Sequence, residues 1–395
     1  MSKRLIAALL GAGALVVTTV TAGVQGADAA APRLTHFTGL HAKRVCAAVT
    51  AGHAACFAKV LVNKAGAVPN ATAPLSTALS PAQVRAAYSL DGTSGAGRTV
   101  AIVDAYGYPN LERDLGIYRA QYGLPACTTA NGCLKVMNQS GGTSLPRTNV
   151  GWAQEQALDL DAVSATCPDC KIVMVQASTN SLANLATAVN QAARQPGVVA
   201  ISNSYGGGDS AENSAYNHPG IAITASTGDA GFKGGSYPAS SAFVTAVGGT
   251  SLKMSGTTRV SETAWSGAGS GCSTVIAQPS FQTTAVTGCA KRAIADVSAA
   301  ADPNTGGLSV YAPTNAKNSS WSQFGGTSES APIIASVYAL AGSGLSNATP
   351  YSHTASLHDI TSGSNGTCTP TQWCNARAGW DGPTGLGTPN GTGAF

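Results

Sequence analysis

Charge is scarce in this chain. Of its 395 residues only 10% are Asp, Glu, Lys or Arg, which limits both the native ion pairs that acid could break and the self-repulsion it could create, so tolerance of acidic surroundings is expected. The few charges are unevenly spread: residues 1–78 hold seven Lys/Arg and one acid, Asp28, whereas residues 79–395 hold fifteen Lys/Arg and seventeen Asp/Glu. The larger part is thus nearly neutral, and the lack of a basic stripe argues against nucleic acid as a partner. Histidine is scarcer still, at six. Beyond the N-terminal region no run reaches about 18 uninterrupted apolar residues, so no stable membrane association of the processed chain is expected. A repeat of roughly 20–50 residues is also absent.

What is present begins with a leader. Lys3 and Arg4 precede an uncharged apolar run from Leu5 to about Val20, and Ala27-Asp28-Ala29 supplies the small residues of a cleavage site. Residues 1–29 therefore read as a signal peptide, and the protein as secreted and extracellular; the rival reading, a membrane anchor, meets a run short for a span. The ten cysteines fall into five near neighbours: Cys46 with Cys56, Cys127 with Cys133, Cys167 with Cys170, Cys272 with Cys289, and Cys368 with Cys374. An even count behind a secretory leader reads as disulfides, here small loop staples. Cys167-Pro-Asp-Cys170 has the spacing of a redox or zinc motif, but no second close Cys/His pair accompanies it. Residues 30–78 read as a separate short basic propeptide, open to removal in maturation, that ends in a stretch of linker composition from Ala65 to Pro74.

From Leu79 onward one pattern recurs. Thr99 to Val103, Lys171 to Val175, Val198 to Ser202, Ile221 to Thr224 and Phe243 to Val247 are short β-rich runs bounded by turn residues. Between several of them lie helical patterns, Leu111 to Tyr122, Trp152 to Ala165 and Leu182 to Ala193. The alternation predicts an α/β fold, a mostly parallel central sheet with helices on both faces, with active sites gathered at strand ends. Gly/Ser/Asn-rich stretches such as Gly206 to Ser214 read as surface loops.

Near the C-terminus Phe324-Gly-Gly-Thr-Ser-Glu-Ser-Ala-Pro332 delivers Ser328 to the start of an apolar segment, Ile333 to Ala341, of helical character. A hydroxyl on a tight turn, near the positive end of a helix dipole, suits attack on a carbonyl. It needs a base. Histidine oriented by aspartate is the familiar partner, and Asp104 at the end of the first strand could orient one. Between Asp104 and Ser328, however, the single histidine is His218, in Tyr216-Asn-His-Pro-Gly220. Carboxylates answer better. Glu155 and Asp159 stand four apart, on one face of the helix predicted from Trp152. Two carboxylates that close repel when both are ionised, so one holds a proton at mildly acidic pH and can exchange it with the serine and a leaving amine. An isolated pair of this kind also fits a solvated helix face, but the interleaved alanines and leucine suggest burial. A third carboxylate, Asp229 in Ala225-Ser-Thr-Gly-Asp-Ala-Gly231, reads either as a turn residue or, when protonated, as an oxyanion donor.

Together these segments resemble the sedolisin family of serine-carboxyl peptidases, acid-active relatives of subtilisin. The similarity runs from about Leu79 to Pro389, through Leu79-Ser-Pro-Ala-Gln, Val100-Ala-Ile-Val-Asp104, the Glu155/Asp159 helix, Ile201-Ser-Asn-Ser-Tyr205, Glu262-Thr-Ala-Trp-Ser-Gly267, Asp296 to Gly306, and Gly326-Thr-Ser-Glu-Ser-Ala-Pro332. It implies a subtilisin-like fold over residues 79–395, with Ser328 as nucleophile, Glu155 as general base and acid, Asp159 as its partner and Asp229 as oxyanion residue. Where some members extend the acid network with a glutamate and a tryptophan, this chain has Asp104 and Tyr205. The family's C-terminal calcium site is matched by side chains of Asp359 and Asp381 and carbonyls of Ile360, Arg377 and Gly379, with arginine where glycine is common. Two loop aspartates alone would equally serve as turn caps. The implied protein is a monomer acting on protein or peptide substrates; a His218-dependent peptidase and a silent binding protein on the same scaffold stay open. One departure stands out: residues 30–78 are far shorter than the folded prodomain typical of the family.

Overall fold

The strands at the centre of the molecule are apolar on both faces, and the fold follows from the need to cover both. The computed structural model describes residues 37–48, 50–342 and 346–395; the expected signal peptide lies outside them. In chain order the elements that matter below are β1 (His41–Arg44), β2 (Ala55–Cys56), β3 (Lys59–Val62), β4 (Thr99–Ala105), α1 (Leu111–Gln121), β5 (Leu134–Asn138) and α2 (Val150–Thr166). They continue with β6 (Lys171–Ala177), α3 (Leu182–Ala193), β7 (Val198–Asn203), β8 (Tyr205–Gly208), β9 (Ala222–Ser226), β10 (Thr245–Ser255) and β11 (Thr258–Ala264). The last are β12 (Val297–Ala300), β13 (Leu308–Pro313), β14 (Ser319–Gly325) and α4 (Thr327–Ala341).

The central sheet has the order β11-β10-β9-β7-β4-β6-β5, with β12 also beside β10. Its pairs are parallel except β10 with β11. Every residue of β4 is buried, as a parallel strand covered on both faces requires. Alternate side chains serve different cores: Val100 and Ile102 pack with α2 and α4 residues such as Leu158 and Val337, while Ala101, Val103 and Ala105 pack with Leu185 and Val189 of α3. The expected mostly parallel sheet with helices on both faces is thus the observed one. The chain enters the sheet at β4, moves outward to β5, returns through β6 and crosses to β7 on the other side of β4. That reversal leaves a crevice at the carboxyl ends of β4 and β7.

Two expectations need correction. Residues 30–78 do not stand apart from the body: in their described part β3 pairs with β14, β2 pairs with β8, and Ala71 bridges to Trp321. The stretch of linker composition is partly packed, with Pro69, Ala71 and Pro74 buried and Ala71 beside Tyr118 and Trp321. The start of Gly206 to Ser214 is not a surface loop either. Tyr205–Gly208 is a strand, because its glycines let β2 approach closely: a Cβ on Gly207 would stand 2.8 Å from the His53 carbonyl oxygen.

All five expected disulfides are formed, Cys167–Cys170 among them, and no described cysteine is free. No described helix is long and apolar enough to cross a membrane. The scarcity of charge has a counterpart inside: Arg292 and Asp296, both without solvent exposure, pair at 2.5 and 2.7 Å. Asp296 also accepts the Ala246 amide and the Tyr351 hydroxyl, and Arg292 donates to the Ser241 and Val244 carbonyls, tying the start of β10 to the segment that leads into β12. Arg292→Leu leaves that carboxylate buried without its cation and is expected to cost about 3–5 kcal/mol in urea unfolding; a loss under about 1 kcal/mol would show that the pair contributes little.

Candidate active site

The crevice at the ends of β4 and β7 is where the predicted residues meet. Helix α2 starts at Asn149, whose side chain accepts the Trp152 amide, and from Trp152 to Thr166 it is buried throughout. A helix enclosed on every side has no solvated face, so Glu155 and Asp159 are both fully buried. Helix α4 begins one residue before Ser328. Its cap, Gly326, has φ +103°, and a Cβ there would overlap the Phe57 carbonyl oxygen and Asp229 Oδ2, so only glycine fits the turn.

Ser328 Oγ donates to the Ser204 carbonyl at 3.1 Å. Ser204 Oγ lies 2.7 Å from Asp159 Oδ1 and 3.3 Å from the Ser328 carbonyl. That carbonyl is free because residue 332 is proline and lacks the N–H that would bond back to it. Glu155 Oε2 accepts the Ala58 amide at 2.8 Å, while Oε1 has no hydrogen bond among the described residues. Burial pushes the Glu155 carboxyl well above the usual carboxylate range, and the charge of Asp159 pushes it further; the Ser328 hydroxyl, within reach, and the Ala58 amide pull the other way. Burial likewise raises Asp159, against the pull of the Ser204 hydroxyl. Asp104, at the end of β4, is raised by burial and then by Asp159 and Glu155, and neither of its oxygens has a hydrogen bond among the described residues. The three carboxyls form one electrostatic group in which protons are shared. Tyr205, expected as a network member, turns its hydroxyl to Asn203 Oδ1 at 2.7 Å and to Tyr216.

Asp229 follows β9. Its Oδ1 accepts the Thr327 amide at 2.8 Å and the Thr327 hydroxyl at 3.0 Å, which seats it against the nucleophile's turn. Its Oδ2 is buried without a hydrogen bond, 4.0 Å from Lys59 Nζ. Burial pushes this carboxyl up to about 6; Lys59, Thr327 and Arg44 oppose the rise. A protonated Oδ2 is a donor waiting for an oxygen that carries charge. The arrangement can therefore pass a proton from Ser328 to Glu155 and hold an oxyanion beside Asp229.

His218 lines a different cleft with Asn217 and Phe243 and bonds to Asn190, so it does not serve Ser328. Ser204, Thr327 and Lys59 went unpredicted. Ser204 carried a usable signal, being the polar residue just past a parallel strand, whereas nothing in the composition around Lys59 points to the site.

Of the residues matched to a calcium site, Asp359 Oδ2 accepts the Gly379 amide at 2.9 Å and Asp381 Oδ2 the Arg377 amide at 3.1 Å. The two carboxylates share one loop cluster, and Asp381 is pushed up to about 7 by burial, with Asp359 adding to the rise. Two hard carboxylates that repel, Asp381 buried and Asp359 exposed, with no cationic side chain paired to either among the described residues, suit a divalent cation.

The fold and site define a subtilisin-like architecture carrying a serine and carboxyl groups in place of a serine and histidine. Residues 135–380 match the subtilase family. The chain is 30% identical over 359 residues to kumamolisin of Bacillus sp. (strain MN-32), covering 80% of this chain and 62% of that protein. It is 33% identical over 181 residues to xanthomonalisin of Xanthomonas sp. (strain T-22), covering 39% and 21%. Among solved structures, Pseudomonas sedolisin, a serine-carboxyl proteinase complexed with pseudo-iodotyrostatin, superposes with a TM-score of 0.66 at 24% identity over 80% of this chain and 96% of that one. The chain belongs to the subtilase family, in its sedolisin branch, and spans less than two thirds of the length of the curated relatives it matches.

The buried carboxyls set the direction of pH dependence. For an acid held above its ordinary value the folded state binds the proton more tightly, so stability is fully present below the unfolded value and is lost as pH rises through the folded one. For Asp229 that window runs from 3.8 to about 6, and Glu155, Asp159 and Asp104 extend it upward. Thermal unfolding is expected to give the highest Tm in acid and a falling Tm toward neutrality; a Tm that climbs over this range would contradict the protonated site.

Proposed function

We propose that this chain is a secreted serine-carboxyl peptidase that hydrolyses peptide bonds in proteins or peptides, in acidic surroundings, through an acyl-enzyme on Ser328. The reading is carried by one observation: Glu155, buried and raised, stands 2.8 Å from a peptide nitrogen and within reach of the Ser328 hydroxyl, while Asp229 is held through the Thr327 amide to the turn that carries that serine. Ionised Glu155 takes the Ser328 proton as Oγ attacks the carbonyl carbon, then returns it to the leaving nitrogen. Asp159 supports it from one helical turn away. The carbonyl oxygen gains charge in the transition state and accepts from protonated Asp229, which explains a requirement for acid. Asp104, sharing charge with the pair, helps hold a proton among them.

Secretion is supported by the N-terminal run after Lys3 and Arg4 together with five disulfides. A structural calcium ion would be held by Asp359 and Asp381 with the carbonyls of Ile360, Arg377 and Gly379, and would stabilise the C-terminal loops. The enzyme works as a monomer on this reading.

Ser328→Ala is expected to abolish hydrolysis of a peptide substrate, and Glu155→Gln to lower kcat by about 10²–10⁴. Asp229→Asn should leave residual activity with a weaker acid requirement, because an amide donates at every pH. Retained activity in Ser328→Ala, or an optimum in alkali, overturns the mechanism. Chelation of calcium is expected to lower Tm by several degrees and Asp381→Asn to remove that sensitivity; an unchanged melting curve with chelator removes the ion from the account.

A further inference from the structure

The crevice is already filled, and by this chain's own residues. Strand β2 lies antiparallel to β8, with Ala55 opposite Gly206 and Cys56 opposite Tyr205. On its other side the Ala54 amide donates to the Asn180 carbonyl at 2.9 Å, Asn180 Nδ2 donates to the Ala54 carbonyl at 2.8 Å, and His53 bridges to Ser181. An extended segment held along both edges is how a peptide adds to a strand-lined groove. At its end the Phe57 amide donates to the Ser204 carbonyl, which also accepts from Ser328. The Phe57 ring lies against Gly206 and Gly228 and forms part of the wall of a cleft of about 290 Å³ that Asp229 also lines. A Cβ on Gly206 would meet that ring at 2.8 Å, so the wall is shaped for it. The Phe57 carbonyl oxygen and Asp229 Oδ2 crowd the same face of Gly326, and the next nitrogen, that of Ala58, is the one 2.8 Å from Glu155. A single bond, Phe57–Ala58, thus has its oxygen beside the oxyanion residue and its nitrogen on the base.

The two sides of that bond are tied together. β1 pairs with β3 at four positions, from His41 opposite Val62 to Arg44 opposite Lys59, and the Val45 amide donates to the Ala58 carbonyl at 3.1 Å. The Cys46–Cys56 disulfide joins the residue before Phe57 to the end of this ladder, bypassing the intervening loop. Residues on both sides of the bond are buried: Cys56, Ala58 and Val60 are almost without exposure. Lys59 and Arg44, both from this segment, also favour the charged form of Asp229, the form that cannot donate.

We propose that residues 41–62 are a built-in inhibitory loop whose Phe57–Ala58 bond is a self-processing site: Ser328 cleaves it and the tethered ends reseal it, until an external thiol reduces the Cys46–Cys56 brace to two thiols and is itself oxidised to a disulfide. This rests on the peptidase reading above. In the forward step Ser328 Oγ bonds to the Phe57 carbonyl carbon, the bond to the Ala58 nitrogen breaks, and the Ser328 proton passes through Glu155 to that nitrogen. Water then gives the Phe57 carboxylate and restores Ser328, or the Ala58 amine, still in place, attacks the ester and restores the peptide. The second route is favoured while β1 and the disulfide hold the amine at an effective concentration on the order of millimolar or above.

The test uses the full chain as wild type, Ser328→Ala, a Cys46→Ser/Cys56→Ser double variant and Phe57→Asp, the last displacing the ring with the disulfide intact. Each is held in acid, read by intact mass and N-terminal sequencing, and assayed on an added phenylalanine-containing peptide. Wild type is expected to show partial conversion to an Ala58 N-terminus with the fragment retained in native gel filtration, and Ser328→Ala none. In the double variant the fragment should dissociate and hydrolysis of the added peptide rise roughly tenfold or more over wild type. Phe57→Asp should raise it likewise without cleavage at residue 57, which covers the case in which the double variant does not fold. A wild type that hydrolyses the added peptide fully while Phe57–Ala58 stays intact, or variants no faster than it, overturns the loop and leaves the peptidase reading standing. Failure of every form to hydrolyse anything overturns the peptidase reading instead.

Discussion

Removing three carboxyls from water is the constraint around which the rest is arranged. Asp104, Glu155 and Asp159 are without solvent exposure and mutually repelling, and no cationic side chain is paired to any of them among the described residues. In so enclosed a place a carboxyl is tolerated by holding a proton, by accepting hydrogen bonds, or by both. α2 is buried on every side, α4 packs against it, and the strand ends supply the few polar partners of these carboxyls, chiefly Ser204. Asp229 repeats the pattern at the turn before the serine, bonded to Thr327 through one oxygen and without a hydrogen bond on the other among the described residues.

Much of this was legible in the chain. The β-rich runs at residues 99–103, 171–175 and 198–202 and the helices at 111–122, 152–165 and 182–193 are found within two residues of their expected bounds, because parallel strands buried on both faces and long helices leave strong patterns. The Glu155/Asp159 spacing on a helix of alanines and leucines announced a buried pair, and Gly-Thr-Ser before an apolar run announced the turn at Ser328. Phe243 to Val247 was found late and long, the strand beginning at Thr245 and running on to Ser255.

What could not be read has a common cause. β1, β2 and β3 are four, two and four residues long, too short for a period of two to show, and the strands that β2 and β3 join in the body are far away in the chain. β8 is mostly glycine, which by propensity signals a loop; the Phe57 ring against Gly206 and the His53 carbonyl against Gly207 explain why side chains are missing there. Basic composition near the N-terminus therefore suggested a separate segment, when the same residues are ladder partners and close neighbours of the site. Lys59 is the clearest case: its ammonium lies over the Trp265 ring at 4.6 Å and near Asp229, a position with no local signature.

Pro332 carries a consequence of its own. By withholding one amide it leaves the Ser328 carbonyl to the Ser204 hydroxyl, which also meets Asp159. A single rotor thus touches the helix bearing the nucleophile and the helix bearing the base, and it has one hydrogen to give. When Asp159 is charged the hydroxyl turns to it; when Asp159 takes a proton the hydroxyl is released toward α4. The protonation state of one helix is in this way converted into the tension on the first turn of the other, a mechanical link no longer than one side chain.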